Sequence, residues 1–450
     1  DHGKASSTNN DIMTTLSLRR QRPPVPAALR SNFKHLYWDI AWYGVLSGSA
    51  IAFLTVYAAR LGGDVFQIGL ITAGPAIVNL IATLPSGRWL ETRPIGPAVF
   101  WSAAFHRLFY LLWIIIPWLL LPKSEIWAYI LVTLVMSIPG TVLAVGFNAL
   151  FADAVPAEWR PHVTGVRNAV LSVAFIITSL ASGLILETLP FPQGYQVVFA
   201  IGAVGALMST VHLLFVRPLS DGRQRPVGRW YRLGDLAAPG RIQGVTDQGR
   251  TAIGLRFLTR SSGKSMLRLE ILRSPFGVVL GGLFAFHLAQ YLAIPLFPIA
   301  WVNKLGFSDG LISQSQALFY AAVFIGSTQL SRMAARLGNQ RVTALGVLLL
   351  AGYPAVTAVM QGPALFLLVS LLGGLGWSMA GGGIANYILE RTPNDDRPAH
   401  LAWYNLALNA AILLGSLLGP LLAGWIGLMA ALLVAGLARG LAGLFIWRRG

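Results

Sequence analysis

Cysteine is absent from the 450 residues, and acids are scarce, with 17 Asp and Glu against 34 Lys and Arg. Without cysteine the chain has no disulfide framework, no thiolate metal site and no thiol chemistry. Charged residues make up 11% of the chain, less than half of the roughly 25% found in soluble globular proteins. Nucleotide and metal signatures are missing too. There is no GxxxxGK[ST] loop, no HExxH helix and no H-x-x-x-x-D pattern, since His35 and Asp39 stand one residue too close for the last. Asp395-Asp396 has no second acidic cluster to work with. No cofactor and no metal site are therefore expected, and an enzyme is disfavoured. The first 36 residues are polar and dotted with proline, unlike a secretory signal.

What fills the chain is apolar: 55% of residues are hydrophobic and 48 are glycine. Segments of about 20 apolar residues span a bilayer as helices. Twelve are predicted, at 37–59, 66–86, 96–121, 126–152, 164–186, 196–216, 275–302, 311–331, 342–360, 363–389, 401–425 and 427–447. The fold class is thus an all-α membrane protein with about twelve transmembrane helices. An even number puts both ends on one side. Of the basic residues, only Arg60, Lys123 and Lys304 fall in odd-numbered connections, and Arg107, Arg167 and Arg439 fall within spans. The rest sit in the end segments and the even-numbered connections, which the positive-inside rule assigns to the cytoplasm. The net charge of +17 is then an orientation signal, and no nucleic-acid partner is expected. The expected location is the cytoplasmic (plasma, or bacterial inner) membrane, multi-pass, with both termini cytoplasmic.

The chain also repeats itself. Residues 148–168 (NALFADAVPAEWRPHVTGVRN) match 386–405 (NYILERTPNDDRPAHLAWYN). Pro156 matches Pro393, Arg160-Pro161 matches Arg397-Pro398, Asn168 matches Asn405, and the acids Asp153 and Glu390 stand three residues before the prolines. The copies are about half the chain apart, as in transporters built from two related bundles. RSNF at 30–33 likewise resembles RSPF at 273–276. Between the halves, 217–273 carries twelve basic and four acidic residues. The expected domains are a tail at 1–36, a six-helix bundle at 37–216, a basic cytoplasmic linker at 217–273 and a second bundle at 274–450. Part of the linker, 254–273, reads either as a basic amphipathic helix on the inner leaflet or as a solvated tether.

The connections after the second span of each half carry a family resemblance. They read Gly87-Arg88-Trp89-Leu90-Glu91-Thr92-Arg93 and Ser331-Arg332-Met333-Ala334-Ala335-Arg336-Leu337-Gly338. Both resemble the cytoplasmic signature G-x-L-A-D-R-x-G-R-R of the major facilitator superfamily, and the likeness extends from about residue 30 to the end. The signatures are degenerate. The first loses its second glycine and basic pair, and the second has Ala335 in place of the acid and Asn339-Gln340 in place of the basic pair. The resemblance implies two pseudo-symmetric six-helix bundles, alternating access, a small-molecule substrate between the halves, proton coupling and a monomer in the bilayer. It also implies a cytoplasmic gate, with Arg88 and Glu91 acting with Asp153, and Arg332 and Arg336 with Glu390, near Gly87, Arg160 and Arg397. The alternative is that these charges only fix topology.

Ionisable groups at mid-membrane depth are functional candidates by default. Asp39, early in the first span, and His287, near the middle of the seventh, are the proton-coupling candidates. A satisfied histidine between helices is the duller reading of His287. An interfacial acid paired with Lys34 or His35 is that of Asp39. His106 and Arg107 fall in the third span, placed by the resemblance at the periphery, and Arg107 and Arg439 are expected to snorkel. The substrate-cavity candidates are Trp42, Tyr43, Asn79, Asn148, Gln290, Gln316, Tyr320, Asn386 and Asn409. The glycine-rich tenth span and GSLLGPLLAG at 415–424 suit either a rocking helix or a close-packed seam. The preferred function is export of a small hydrophobic or amphipathic compound. The alternatives are uptake of a neutral solute such as a sugar, or a scaffold that no longer transports.

Overall fold

The computed structural model describes residues 26–219 and 269–450, apart from 157, 394 and 395. It is built from twelve long helices: α1 (Leu29–Arg60), α2 (Val65–Glu91), α3 (Ile95–Leu119), α4 (Pro122–Ala154), α5 (Arg160–Thr188), α6 (Gln193–Leu214), α7 (Pro275–Lys304), α8 (Asp309–Leu337), α9 (Asn339–Val359), α10 (Pro363–Glu390), α11 (Arg397–Ile426) and α12 (Leu428–Arg449). α1 contains a π-helical stretch at Ser47–Ile51, and α7 ends in another at Ala300–Lys304 after an interruption before Leu296. A single helical turn, Glu270–Arg273, is the described part of the predicted amphipathic segment; 254–268 lies outside the described residues.

Eleven of these helices are long and apolar enough to cross a membrane. The exception is α8, whose sequence carries Ser313, Gln314, Ser315, Gln316, Ser327, Thr328 and Gln329. Part of that polarity is sheltered: Ser313 and Ser315 are buried, and Ser327 and Thr328 line a cavity. α1 begins earlier than its predicted span, so residues 27–36 of the expected tail are helical. The reason is local: Asn32 makes that polar stretch part of the bundle. Its Nδ2 donates to the carbonyl oxygens of Ala154 (3.2 Å) and Arg217 (2.7 Å), and its Oδ1 accepts from the Arg217 amide (3.0 Å).

The helix neighbours display the repeat. In the first half α1 packs on α5 and α6, α4 on α2 and α3, and α3 on α6. In the second half α7 packs on α11 and α12, α10 on α8 and α9, and α9 on α12. Adding six to each label converts one set into the other. Across the halves α5 meets α8 and α2 meets α11, a pair of contacts that the same operation exchanges. The face where α1 begins and α12 ends is called the terminal face below, and the opposite one the distal face.

Three larger apolar clusters fill the structure. One spans both halves at their distal ends, with Tyr57, Tyr195 and Phe199 from the first half and Leu296, Phe297, Trp301 and Phe307 from the second. Toward the terminal end one cluster, around Phe33, Leu150 and Val163, lies within the first half, and another, around Phe276, Tyr387 and Ile446, is built by the second half with Ala76 of α2. The halves are therefore joined most extensively at the distal face and less so toward the terminal face.

The glycine-rich spans make close seams. A Cβ at Gly374 of α10 would collide with the Phe319 carbonyl oxygen of α8, and one at Gly419 of α11 with the Leu292 carbonyl oxygen of α7. Small residues let helix backbones approach in this way. Gly419→Val is expected to force α7 and α11 apart and to destabilise the protein by about 2 kcal/mol, the usual cost of overpacking. Thermal unfolding in detergent checks this, with Gly424→Val, at a position with open space around it, as the near-neutral comparison.

Candidate functional site

Between the halves lies a cavity of about 700 Å³. Its lining comes from both bundles: Tyr43, Asn79, His106, Trp113 and Asn168 on one side, and Tyr291, Tyr320, Ser327, Thr328 and Trp377 on the other. Among the described lining residues there is no Asp, Glu, Lys or Arg. Hydroxyls supply most of the polarity, from Thr72, Thr133, Ser137, Ser172, Ser378 and four tyrosines, set among Trp113, Trp377 and Phe324. Tyr320 stacks on Phe175 of the other half, ring centroids 3.7 Å apart.

Of the cavity candidates, Tyr43, Asn79 and Tyr320 line this space. Asn79 is held by α4, where the Thr141 hydroxyl donates to its Oδ1 at 2.7 Å. Trp42, Asn148, Gln290, Gln316, Asn386 and Asn409 do not line it. Asn148 donates back to the Ala144 carbonyl (3.0 Å) and Asn409 to the Asn405 carbonyl (2.9 Å), each four residues earlier on its own helix. His287 is also off the wall, buried with its Nε2 3.1 Å from the Tyr404 hydroxyl.

Two arginines correct the sequence reading. Arg107, expected to snorkel at the periphery, is 4% exposed, and its neighbour His106 lines the cavity with Nδ1 2.7 Å from the Met136 carbonyl. Arg439, also expected to snorkel, is 1% exposed and donates to the Leu350 carbonyl of α9 at 2.7 Å and toward the Ala289 and Gln290 carbonyls of α7 at 3.5 and 3.4 Å. Both lie too deep for the side chain to reach water, so the protein supplies their acceptors.

Asp39 is the centre of the first-half network. Arg167 Nη1 lies 3.1 Å from its Oδ2, Arg107 Nη2 lies 3.8 Å from its Oδ1, and the Ser209 hydroxyl donates to Oδ1 at 2.6 Å. Arg167 also donates to the Leu36 carbonyl (2.6 Å), and Arg107 to the Thr210 hydroxyl (3.1 Å). The expected interfacial partners Lys34 and His35 are not the ones it uses; His35 instead meets His212, with Nδ1 atoms 3.1 Å apart. Both carboxylate oxygens of Asp39 are thus engaged, joining α1, α3, α5 and α6. Such a group is a staple between helices.

The terminal-face candidates have local partners. Arg160 is buried and turns back to donate to the Val155 (2.8 Å) and Ala152 (2.6 Å) carbonyls, closing the last turn of α4. The repeated Arg-Pro marks a helix start, with proline in the first turn of both α5 and α11. Glu390 accepts from Asn339 at 2.5 Å, Arg332 donates to Gln329 at 3.0 Å on its own helix, and Arg336 is exposed, so the expected Arg332/Arg336–Glu390 pairing is not made in this state. Arg391 donates to Gln340 (2.9 Å) and to the Gly450 carbonyl (3.0 Å). Asn339 and Gln340, where the signature has a basic pair, therefore bind by amide hydrogen bonds instead. Arg88 is exposed, and Gly87 and Asp153 are half-buried. The side chains of Glu91 and Arg397 lie outside the described residues.

At the distal face the halves are latched. Arg60 of α1 donates to Asp309 Oδ1 of α8 at 3.0 and 3.1 Å and to the Phe307 carbonyl at 2.6 Å. Ser308 donates to Glu187 of α5 at 3.0 Å. Arg60 stood out in the sequence as a rare basic residue in an odd-numbered connection; its partner did not.

Comparison with known proteins agrees with this geometry. The profile of the Major Facilitator Superfamily matches residues 41–286 and 279–450. No curated protein sequence matches the chain. Among solved structures, a bacterial homologue of the iron transporter ferroportin in its inward-facing state aligns with 93% of this chain and 98% of its own, at 15% identity and a TM-score of 0.68. A bacterial ferroportin homologue in the outward-facing state with soaked iron aligns with 93% and 99%, at 14% identity and a TM-score of 0.53. The xylose transporter XylE from E. coli, partially occluded and inward open, aligns with 94% and 98%, at 14% identity and a TM-score of 0.62. At these identities the likeness is one of fold.

Asp39→Asn is expected to strand two buried guanidiniums without a counter-charge and to destabilise the protein by about 3–5 kcal/mol. The combined Asp39→Asn, Arg167→Gln variant is expected to recover part of that loss. Thermal unfolding in detergent measures both, and an Asp39→Asn protein as stable as the parent would contradict the staple.

Proposed function

The chain belongs to the Major Facilitator Superfamily, and from that premise we propose that it carries an uncharged, amphipathic small molecule across the membrane by alternating access. The uncharged wall carries this reading. A cavity without a single lining Asp, Glu, Lys or Arg among the described residues has nothing to neutralise a phosphate or a carboxylate. An anion there would give up its hydration without a counter-charge. Hydroxyls and the Asn79 and Asn168 amides suit a solute with a few hydrogen-bonding groups, and the Trp113 and Trp377 rings suit its apolar face. The ferroportin likeness is not carried over to substrate: among the described residues no three His, Asp or Glu side chains converge as a metal site would need.

The terminal face is read as cytoplasmic, because the basic residues of the even-numbered connections end there. The cavity is then open to the cytoplasm, and the Arg60–Asp309 latch is the outer gate. Uptake and release both require that latch to break while the separate terminal clusters come together. Net movement against a gradient is coupled to protons in this reading.

A panel of neutral, cationic and anionic solutes in reconstituted vesicles, with and without a pH gradient, tests the proposal. Neutral amphipathic solutes are expected to give protein-dependent flux, lowered about tenfold by Asn79→Ala or Trp377→Ala. Flux confined to anions, or none above protein-free vesicles, would contradict it. Asp309→Asn is expected to loosen the outer gate. In the naturally cysteine-free chain, a Thr55→Cys reporter on the cavity wall should then react about tenfold faster with an impermeant maleimide added from the distal side.

A further inference from the structure

One acid is buried without the kind of partner that holds Asp39. Glu125, in the first turn of α4, is 3% exposed. Its Oε1 accepts the Tyr57 hydroxyl at 2.5 Å. Among the described residues no Lys, Arg or His lies within ion-pair distance of it. The pocket around it is aromatic. The Tyr57 ring packs against Tyr195 with centroids 4.7 Å apart and edge-on against Tyr129 and Phe199 at 5.8 and 5.4 Å. Tyr129, one turn along α4, lies beside the same carboxyl and donates to the Trp113 carbonyl at 2.8 Å.

The place of this acid in the fold matters as much as its isolation. Tyr57 stands three residues before Arg60, the arginine of the distal latch. Tyr195, packed against Tyr57, lies beside both members of that latch, Arg60 and Asp309. On the other side Trp113 forms part of the cavity wall. Glu125 thus sits between the distal seal and the substrate space. A carboxylate removed from water without a counter-charge is costly, and the neutral acid is not. The titratable groups that face it are Tyr57 on α1 and Tyr129 on its own helix, with Tyr195 of α6 packed behind Tyr57 and Arg60 and, across the halves, Asp309 beside Tyr195.

Resting on the transporter reading above, we infer that Glu125 is a proton-binding site that couples protonation to closure of the distal latch. With the latch open, water reaches the Tyr57–Glu125 pair. The carboxylate takes a proton from a hydronium ion there: one hydronium O–H bond breaks, water remains, and the new O–H bond on Glu125 removes its charge. The neutral acid can then be buried as Arg60 closes on Asp309 and Phe307. When the O–H bond breaks, the proton leaves to water on the cavity side past Tyr129 and Trp113, and the charge that remains favours reopening of the seal. Asp39, neutralised by two arginines, has no such consequence for the latch.

The test uses spin labels at Leu121→Cys and Gln361→Cys, exposed distal positions on the two halves, in the full chain in nanodiscs. Inter-label distances are measured between about pH 5 and about pH 9, a range that brackets a carboxyl displaced from its usual value. The long-distance population is expected to grow at least about threefold with rising pH. Glu125→Gln, neutral at every pH and of nearly the same shape, should hold the short distance throughout. Tyr57→Phe should move the midpoint of the native transition by about one pH unit, about tenfold in proton concentration. A Glu125→Gln protein that follows pH as the parent does, a parent that ignores pH, or an unmoved Tyr57→Phe midpoint would overturn the inference. The two readings fail differently. Two distances that ignore pH and Glu125 defeat only the proton site. A single distance under every condition, even with Asp309→Asn, defeats alternating access as well.

Discussion

A guanidinium placed within a membrane-spanning bundle must find its acceptors inside the protein, and three arginines organise the two halves in meeting that demand. In the first half, Arg107 and Arg167 converge on Asp39, which binds α1, α3, α5 and α6 into one unit. In the second, Arg439 reaches from α12 to the carbonyls of α7 and α9. Adding six to the helix labels relates these sets: both staples join the first, third and sixth helices of a bundle. One balances charge with charge and the other with backbone dipoles. Each bundle is thereby stiffened independently, as a pair of bodies that moves about a shared cavity requires.

The faces of the cavity are built from different chemistry. At the distal end one apolar cluster crosses the midline, and polar bonds from Arg60 and Ser308 fasten it. Toward the terminal end the first-half cluster stays within its bundle and the second-half cluster takes in only Ala76 from across the boundary, while the bonds Asn339–Glu390, Arg391–Gln340 and Arg160–Val155 each join residues of one bundle. The halves are therefore joined most extensively at the distal end.

Much of this architecture was legible in the chain, because length and hydropathy determine which segments can cross a bilayer, and a repeat half a chain apart divides them. The helix ends were less legible. Asn32 looks like a tail residue until the carbonyls it binds, at positions 154 and 217, are known. The wall of the cavity was legible only in part. Thr133, Ser137 and Thr141 recur every four residues, which marks one face of α4 as polar, and Asn79 sits opposite. Asn148 and Asn409 carry the same chemistry as Asn79 but spend it on their own helices, a choice set by rotation about the helix axis. Glu125 escaped notice because it precedes the apolar run of its helix and looks like a surface residue. The repeat at 148–168 and 386–405 was plain, yet its arginine closes a helix end and need not gate.

The polarity of α8 bears on how the protein is made. Its serines and glutamines leave it less apolar than the other eleven long helices among the described residues. Insertion of a segment depends on its own transfer free energy until neighbours are present. α8 gains its shelter from α5, which precedes it in the chain, and from α10, which follows it. The most polar helix of the second bundle thus buries part of its polarity against the first, so the two halves do not shelter it independently.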